Sequence, residues 1–146
     1  RQIRCGKIRV RFIARKNIDE VPVRKFNTSR GEIRVSTPET TAIDLAGYPE
    51  YAGGLDQVAT ILSELAEKID ALALAEAAKT APIPWIQRLG YMLEFVEAEN
   101  AAAGIKEYVC EHAREYRMLT PGKSDREIQR LANWKLIINT DLEPDI

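Results

Sequence analysis

The hydrophobic pattern of this 146-residue chain changes its period at Thr37-Pro38, and this change constrains the fold more than any other feature. Before it, apolar and charged residues alternate, as they do in strands with one buried and one solvated face. After it, apolar residues recur every three or four positions, as in amphipathic helices. We therefore predict an α+β fold, in which a small antiparallel sheet from N-terminal strands plus a C-terminal strand packs against about five helices.

The first predicted strand lies in 7–16, KIRVRFIARK, where apolar and basic residues alternate. Its predicted buried face holds Ile8, Val10 and Phe12, and its solvated face holds Arg9 and Arg11. Two further strands are predicted at 21–28 and 32–37, joined by a turn at 29–31 that ends in glycine. The outward face of the resulting sheet is expected to be lined with arginine.

The junction VSTPETTAIDL combines several hydroxyls with two carboxylates, which suggests either a site or a helix start. Thr37 before Pro38 is typical of an N-cap followed by proline at the first helical position. Ser36 with Glu39 is a competing capping-box interpretation. A helix N-terminus can also bind phosphate, but Glu39 would repel an anion there. We favour the helix start, with the helix closing at Gly47.

Four more helical segments follow, at 55–70, 71–81, 84–98 and 101–113. The glycine at position 90 costs its helix about 1 kcal/mol relative to alanine, so we expect it to mark a close helix contact. The segment 115–125 is predicted to be extended and then to turn at Pro121-Gly122, and the apolar run 133–139 is predicted to be a core strand. The whole is expected to be one domain, with a basic β region (1–37), a helical region (38–114) and a C-terminal extended region (115–146).

Charge is divided unevenly along the chain. Residues 1–34 contain eleven Lys/Arg and three acids, a net charge of +8, whereas the remaining 112 residues carry −9. This asymmetry suggests a basic binding surface, although a basic sheet can also neutralise an acidic helical layer within one protein. The candidate residues on the outward sheet face are Arg9, Arg11, Arg24, Lys25 and Arg34.

That face suits phosphate backbone, RNA or an acidic protein surface, because arginine makes bidentate contacts with phosphate and carboxylate. The alternatives are an ordinary solvated face or one covered by a further domain. Arg88 and Tyr91, three residues apart on one helix, are a second candidate pair for a partner. Here the alternative is an internal salt bridge or a structural hydrogen bond.

The sequence offers no catalytic or metal-ligating pattern. It has one histidine, His112, and two widely separated cysteines, and it lacks paired zinc ligands and phosphate-binding glycine loops. No apolar run reaches the roughly 20 residues of a membrane span, and no signal-peptide pattern opens the chain. We therefore expect a cytoplasmic, non-enzymatic protein without cofactors. Its start at Arg1 rather than Met suggests a fragment.

Three longer motifs carry a family resemblance. These are 31–70 (GEIRVSTPETTAIDLAGYPEYAGGLDQVATILSELAEKID), 87–94 (QRLGYMLE) and 133–139 (NWKLIIN). In this order they resemble the C-terminal domain of the AbiEi family, the antitoxins of bacterial type IV toxin–antitoxin systems that act in abortive infection and phage defence.

The resemblance implies a nucleotidyltransferase-like toxin as the functional partner. It leaves open whether the antitoxin and the toxin touch. It also implies that a winged-helix domain, expected N-terminal to this chain, binds promoter DNA for autoregulation. The family supplies no catalytic residues. The alternative function is a metal-dependent, nuclease-like enzyme, which would need two or three acids and a lysine gathered in one cleft.

Overall fold

The computed structural model describes residues 1–123 and 126–146, and within them it confirms the predicted α+β class. The predicted segment 115–125 therefore ends in two residues outside the described part. In chain order the elements are β1 (Gln2–Cys5), β2 (Ile8–Arg11), β3 (Val23–Thr28), β4 (Gly31–Ser36), α1 (Pro38–Gly47), α2 (Leu55–Leu65), α3 (Ala71–Ala78), α4 (Ile83–Phe95), α5 (Glu99–His112), β5 (Arg117–Met118), β6 (Gln129–Leu131) and β7 (Leu136–Ile138).

The strands of the described residues form three small sheets instead of one. β1 pairs with β2 and β3 with β4, each as an antiparallel hairpin. At the other end of the chain, β7 lies between β5 and β6, parallel to the first and antiparallel to the second. The C-terminal strand thus does not join the N-terminal ones. The predicted core strand at 133–139 is confirmed over Leu136–Ile138, where Leu136 and Ile138 are buried. Residues 133–135 form a turn instead, although Trp134 in that turn is also buried.

The predicted burial of one hairpin face is wrong. Ile8, Val10 and Phe12 are 66%, 42% and 57% exposed, and Ile33 and Val35 on the second hairpin are also exposed. Alternation correctly places these side chains on one face, but it does not supply a layer to cover that face. A two-stranded hairpin has no inner strand, so it buries little unless another element packs on it.

The predicted start of α1 is confirmed. Thr37 Oγ1 accepts a hydrogen bond from the Thr40 amide at 3.2 Å, and Pro38 is the first helical residue. Ser36 does not form the competing capping box with Glu39. Its hydroxyl instead shares a 2.7 Å hydrogen bond with the Thr41 hydroxyl. The helix closes at Gly47, as the sequence predicts.

The core lies among the five helices, and α4 is at its centre. α4 packs against α1, α2, α5 and β7. Each of the helices α1 to α5 contributes side chains without solvent exposure, among them Ile43, Leu62, Leu74, Leu89 and Ile105. The predicted three- and four-residue periodicity therefore gives the core-facing stripes of the helices.

The polar face of α4 holds the C-terminal segment. The Gln87 side-chain amide nitrogen lies 2.9–3.1 Å from the carbonyl oxygens of Glu115, Trp134 and Lys135. Two turns further on, the Glu94 carboxylate accepts a hydrogen bond from the indole N–H of Trp134 at 2.9 Å. The C-terminal sheet is too small to have its own core, so these hydrogen bonds and the buried Trp134 attach it to the helices.

The close contact at Gly90 is made by a different partner from the one predicted. The benzo ring of Trp134 lies against the glycine, and a Cβ atom at position 90 would overlap the ring. The neighbour is therefore a side chain from the C-terminal segment and not a second helix. Local sequence cannot show this, because the two residues are far apart along the chain.

We predict that Gly90→Ala lowers the free energy of unfolding by about 1–3 kcal/mol through overpacking, a cost that exceeds the alanine gain in helix propensity. Urea unfolding followed by circular dichroism measures this. In a Trp134→Ala background the same substitution should no longer destabilise, since the overlap has gone. Equal losses in both backgrounds would contradict the proposed contact.

Glu94 gives a pH-dependent prediction. Partial burial raises the pKa of its carboxyl. The hydrogen bonds from Trp134, Lys106 and Asn133 and the charge of Lys106 outweigh that effect, so the pKa lies below its usual value. Because the folded-state pKa is lower, the charged carboxylate stabilises the folded protein at pH values above the unfolded pKa of about 4.3. This stabilisation is lost as the pH falls through the folded-state pKa.

Glu94→Gln should therefore destabilise the protein at pH 7 by up to about 1 kcal/mol, the scale of a partly exposed ion pair. Glutamine keeps an oxygen for the Trp134 indole, so the substitution removes mainly the charge. Unfolding of both proteins at pH 7 and pH 3 measures the effect, and the difference should shrink at pH 3. A difference that is independent of pH would show that the charge does not matter.

Candidate interaction surface

The hairpin β1–β2 has one basic face and one apolar face. Strand pairing sets Arg4 opposite Arg9 and Gln2 opposite Arg11, and paired residues point to the same side of a sheet. The other face holds Ile3, Cys5, Ile8 and Val10.

Like charges directly opposite each other are destabilising, and no described carboxylate forms an ion pair with Arg4, Arg9 or Arg11. The arginine face is therefore exposed and has no ion-pair partner among the described residues.

The second hairpin divides its basic residues between its two faces. Lys25 pairs with Arg34 on one face, where Glu32 lies 3.9 Å from the lysine. Arg24 lies on the opposite face, together with Phe26 and Val35. The five candidate residues are all exposed, but the structure places them on three faces of two hairpins. Arg9 and Arg11 are the candidate arginines that share a face.

Arg11 also connects its hairpin to the helical body. Its guanidinium lies 5.1 Å from the centroid of the Tyr51 ring, a cation–π arrangement. A cleft of 310 Å³ opens beside this contact, lined by Gln2, Arg9, Arg11, Glu50 and Tyr51. Two arginines face one glutamate there, so the cleft has a positive excess and suits a carboxylate or a phosphate.

Arg15 is the residue that sequence reasoning missed. Its side chain is only 7% exposed and forms an ion pair with Asp44 of α1. The same guanidinium lies 5.4 Å from the Trp85 ring centroid and donates to the Thr80 carbonyl at 3.5 Å. Burial raises the pKa of the Asp44 carboxyl, and the charge and hydrogen bond of Arg15 only partly offset that rise. Nothing in the local pattern distinguishes Arg15 from its exposed neighbours.

Arg88 lies inside the protein. It is 7% exposed, and its guanidinium donates to the carbonyls of Leu119 and Ala46 at 3.0 and 2.5 Å. Burial lowers the pKa of Arg88, which reflects the cost of holding a charge there. The side chain thus ties the last turn of α1 to the chain after β5. This geometry favours the structural alternative over a contact with a partner.

Tyr91, the other member of that pair, is half-buried on α4. Its ring lies 6.1 Å from that of Phe95. Burial raises the pKa of its hydroxyl, and the negative charge of Asp141 adds to the rise. The structure therefore does not bring Tyr91 to the basic cleft, and the candidate partner pair on α4 is largely engaged within the fold.

Acidic, histidine and cysteine side chains do not converge in the described part of the chain. Residues 1–123 and 126–146 contain no group of three or more such residues that could hold a metal ion. His112 hydrogen-bonds the Tyr108 carbonyl at 2.9 Å and stacks on the Tyr108 ring, which is a structural role. Cys5 and Cys110 are exposed free thiols. Among these residues no helix is long and apolar enough to cross a membrane.

Comparison with known families identifies the domain. The family model described as the AbiEi antitoxin C-terminal domain matches residues 1–95, and the chain therefore belongs to this family. The match covers both hairpins and α1 to α4, and it includes the QRLGYMLE segment of α4. The family supports an antitoxin role and a toxin partner in general. No curated protein and no solved structure matches the chain.

We predict that Arg88→Ala lowers the free energy of unfolding by about 2–4 kcal/mol, because two buried carbonyls lose a charged donor. Arg34→Ala, at an exposed position, is the matched control and should cost about 0.5 kcal/mol or less. Chemical unfolding of both variants measures the difference. Wild-type stability of Arg88→Ala would contradict the structural role and return Arg88 to the candidates for partner binding.

Proposed function

We propose that this chain is the non-enzymatic antitoxin domain of a type IV system and counteracts a nucleotidyltransferase-like toxin in the bacterial cytoplasm. In the full-length protein this activity is coupled to promoter binding, autoregulation and phage defence. The observation that carries the proposal is the family match over residues 1–95, which contains every element that forms the basic surface. No cofactor is required.

The arginines of β1–β2 are the part of the surface best suited to this role. Arg9 and Arg11 lie in the cleft beside Tyr51, with Arg4 on the same hairpin face. A planar guanidinium recognises carboxylate or phosphate oxygens with two parallel hydrogen bonds, so such a face favours anionic partners. Because the arginines are exposed, their attraction is screened by salt.

The nuclease-like alternative depends on converging acids, and the described residues argue against it. Several acids are instead held one at a time, each by a separate partner. Asp44 pairs with Arg15, Glu94 with Lys106 and Trp134, and Glu127 with Arg130. A hard cation needs several carboxylate oxygens in one place. Acids that each have a separate structural partner support an interaction domain over a metal-dependent enzyme.

A growth-rescue assay tests the proposal. The cognate toxin is expressed in bacteria with or without the 146-residue chain, and colony formation is counted. We expect the wild-type chain to restore growth. Arg9→Glu/Arg11→Glu should reduce rescue by roughly tenfold or more, because two attractive charges become repulsive. Arg114→Glu/Lys123→Glu makes the same charge change at exposed C-terminal positions and should leave rescue intact.

Failure of the wild-type chain to rescue, with folded protein verified in the cells, would overturn the antitoxin assignment for this domain. Equal losses in the two charge variants would instead show that net charge, rather than the β1–β2 face, governs the effect.

A further inference from the structure

A second cavity shares Tyr51 as a lining residue with the basic cleft. It is open to solvent, has a volume of 300 Å³ and is lined mainly by the chain after β2, by α1 and by the short helical turn Pro49–Ala52. Its walls are mainly apolar, formed by Ile13, Ile18, Leu45, Tyr48 and Tyr51. This volume is at the lower end of the range for ligand pockets, which is enough for one large side chain.

Four polar side chains of this cavity are paired with each other. The hydroxyls of Ser36 and Thr41 share a hydrogen bond, and Arg15 is bound to Asp44. Apart from the hydroxyls of Tyr48 and Tyr51, an occupant therefore meets apolar walls and polar groups that already have partners. Such a cavity favours an apolar or aromatic side chain, because a charged group inside it would be desolvated without a free partner.

The rim of the cavity is unusually apolar. Ile13 and Ile18 line the cavity and are still 41% and 61% exposed, and the neighbouring Phe12 is 57% exposed. Of the sixteen exposed large hydrophobic residues in the described chain, ten lie within its first 35 positions. Concentrated exposed apolar surface marks interaction sites. The apolar cavity thus adjoins the arginine cleft, since Tyr51 lines both of them.

We propose that these two cavities form one docking site for a segment of a partner protein that presents an apolar anchor side chain next to one or two carboxylates. The anchor fills the 300 Å³ cavity, and the carboxylates meet Arg9 and Arg11 across Tyr51. This inference rests on the proposed function, in which the partner is the toxin, and it specifies that the toxin is bound directly.

Charge complementarity selects this occupant over a second copy of the chain. Residues 1–34 carry +8, so a symmetric dimer through this surface would bring two strongly basic regions together. Like charges across an interface oppose association. A nucleic-acid strand would satisfy the arginines but would leave the apolar cavity without an anchor.

Calorimetric titration of the 146-residue chain with purified cognate toxin tests the site. Ala52 lines the apolar cavity, so Ala52→Phe should fill it and weaken binding by roughly tenfold or more, as loss of a central anchor does. Ala103→Phe makes the same change on the exposed surface of α5 and should bind like wild type. Arg9→Glu/Arg11→Glu should weaken binding at least as much and reduce its salt dependence.

A second variant tests the same cavity in case Ala52→Phe disturbs the fold. Ile18→Asp introduces a negative charge at an exposed rim position, so it should leave the fold intact and repel an acidic partner. Circular dichroism of every variant verifies folding before titration.

The outcomes separate the inference from the proposed function. Rescue of growth without measurable binding, or with binding unchanged in both Ala52→Phe and Ile18→Asp, overturns the docking site and leaves the antitoxin role standing. Neither rescue nor binding overturns both. A single-stranded oligonucleotide that competes with the toxin for binding would also overturn the protein-segment assignment, provided that Ala52→Phe leaves the binding of the oligonucleotide unchanged.

Discussion

The polar face of α4 is the constraint on which the rest of the structure depends. Within two turns, Gln87 binds three carbonyls of the C-terminal segment, Arg88 binds α1 and the chain after β5, and Glu94 binds the indole of Trp134. Gly90 lets the Trp134 ring approach the helix axis. Buried polar groups cost free energy unless they are paired. These contacts therefore specify how the helices and the C-terminal sheet fit together.

The two N-terminal hairpins are organised by a different principle. They bury little of their apolar surface, and their arginines have few acidic partners in the described chain. Arg15 anchors the chain between them, through Asp44 and the Trp85 ring. A helical body with a buried core thus carries hairpins with exposed basic and apolar faces. This arrangement suits an interaction domain, because the helices supply the stable core and the hairpins remain accessible to a partner.

The proposed recognition surface rests on a contrast in ion pairing: several acids have cationic partners, whereas Arg9 and Arg11 form no ion pair with a described residue. Asp44, Glu94 and Glu127 have structural partners. Arg9 and Arg11 instead line a cleft that opens to solvent and adjoins an apolar cavity. Family membership supports the antitoxin role, and this contrast is our reason for placing recognition on β1–β2 rather than on α4.

The sequence by itself determined the local features: the N-cap at Thr37, the helical stripes, the alternating faces of the hairpins and a core strand within 133–139. The motifs at 31–70, 87–94 and 133–139 also indicated the family, which the match over residues 1–95 shows. These features follow from periodicity and capping, which act over a few residues. Only the tertiary structure decided that the hairpin faces remain exposed, that Arg15 meets Asp44, and that Trp134 packs on Gly90. The two contacts join residues that are 29 or more positions apart, and the exposure of the hairpin faces depends on whether another element packs on them. Local pattern carries no information about either.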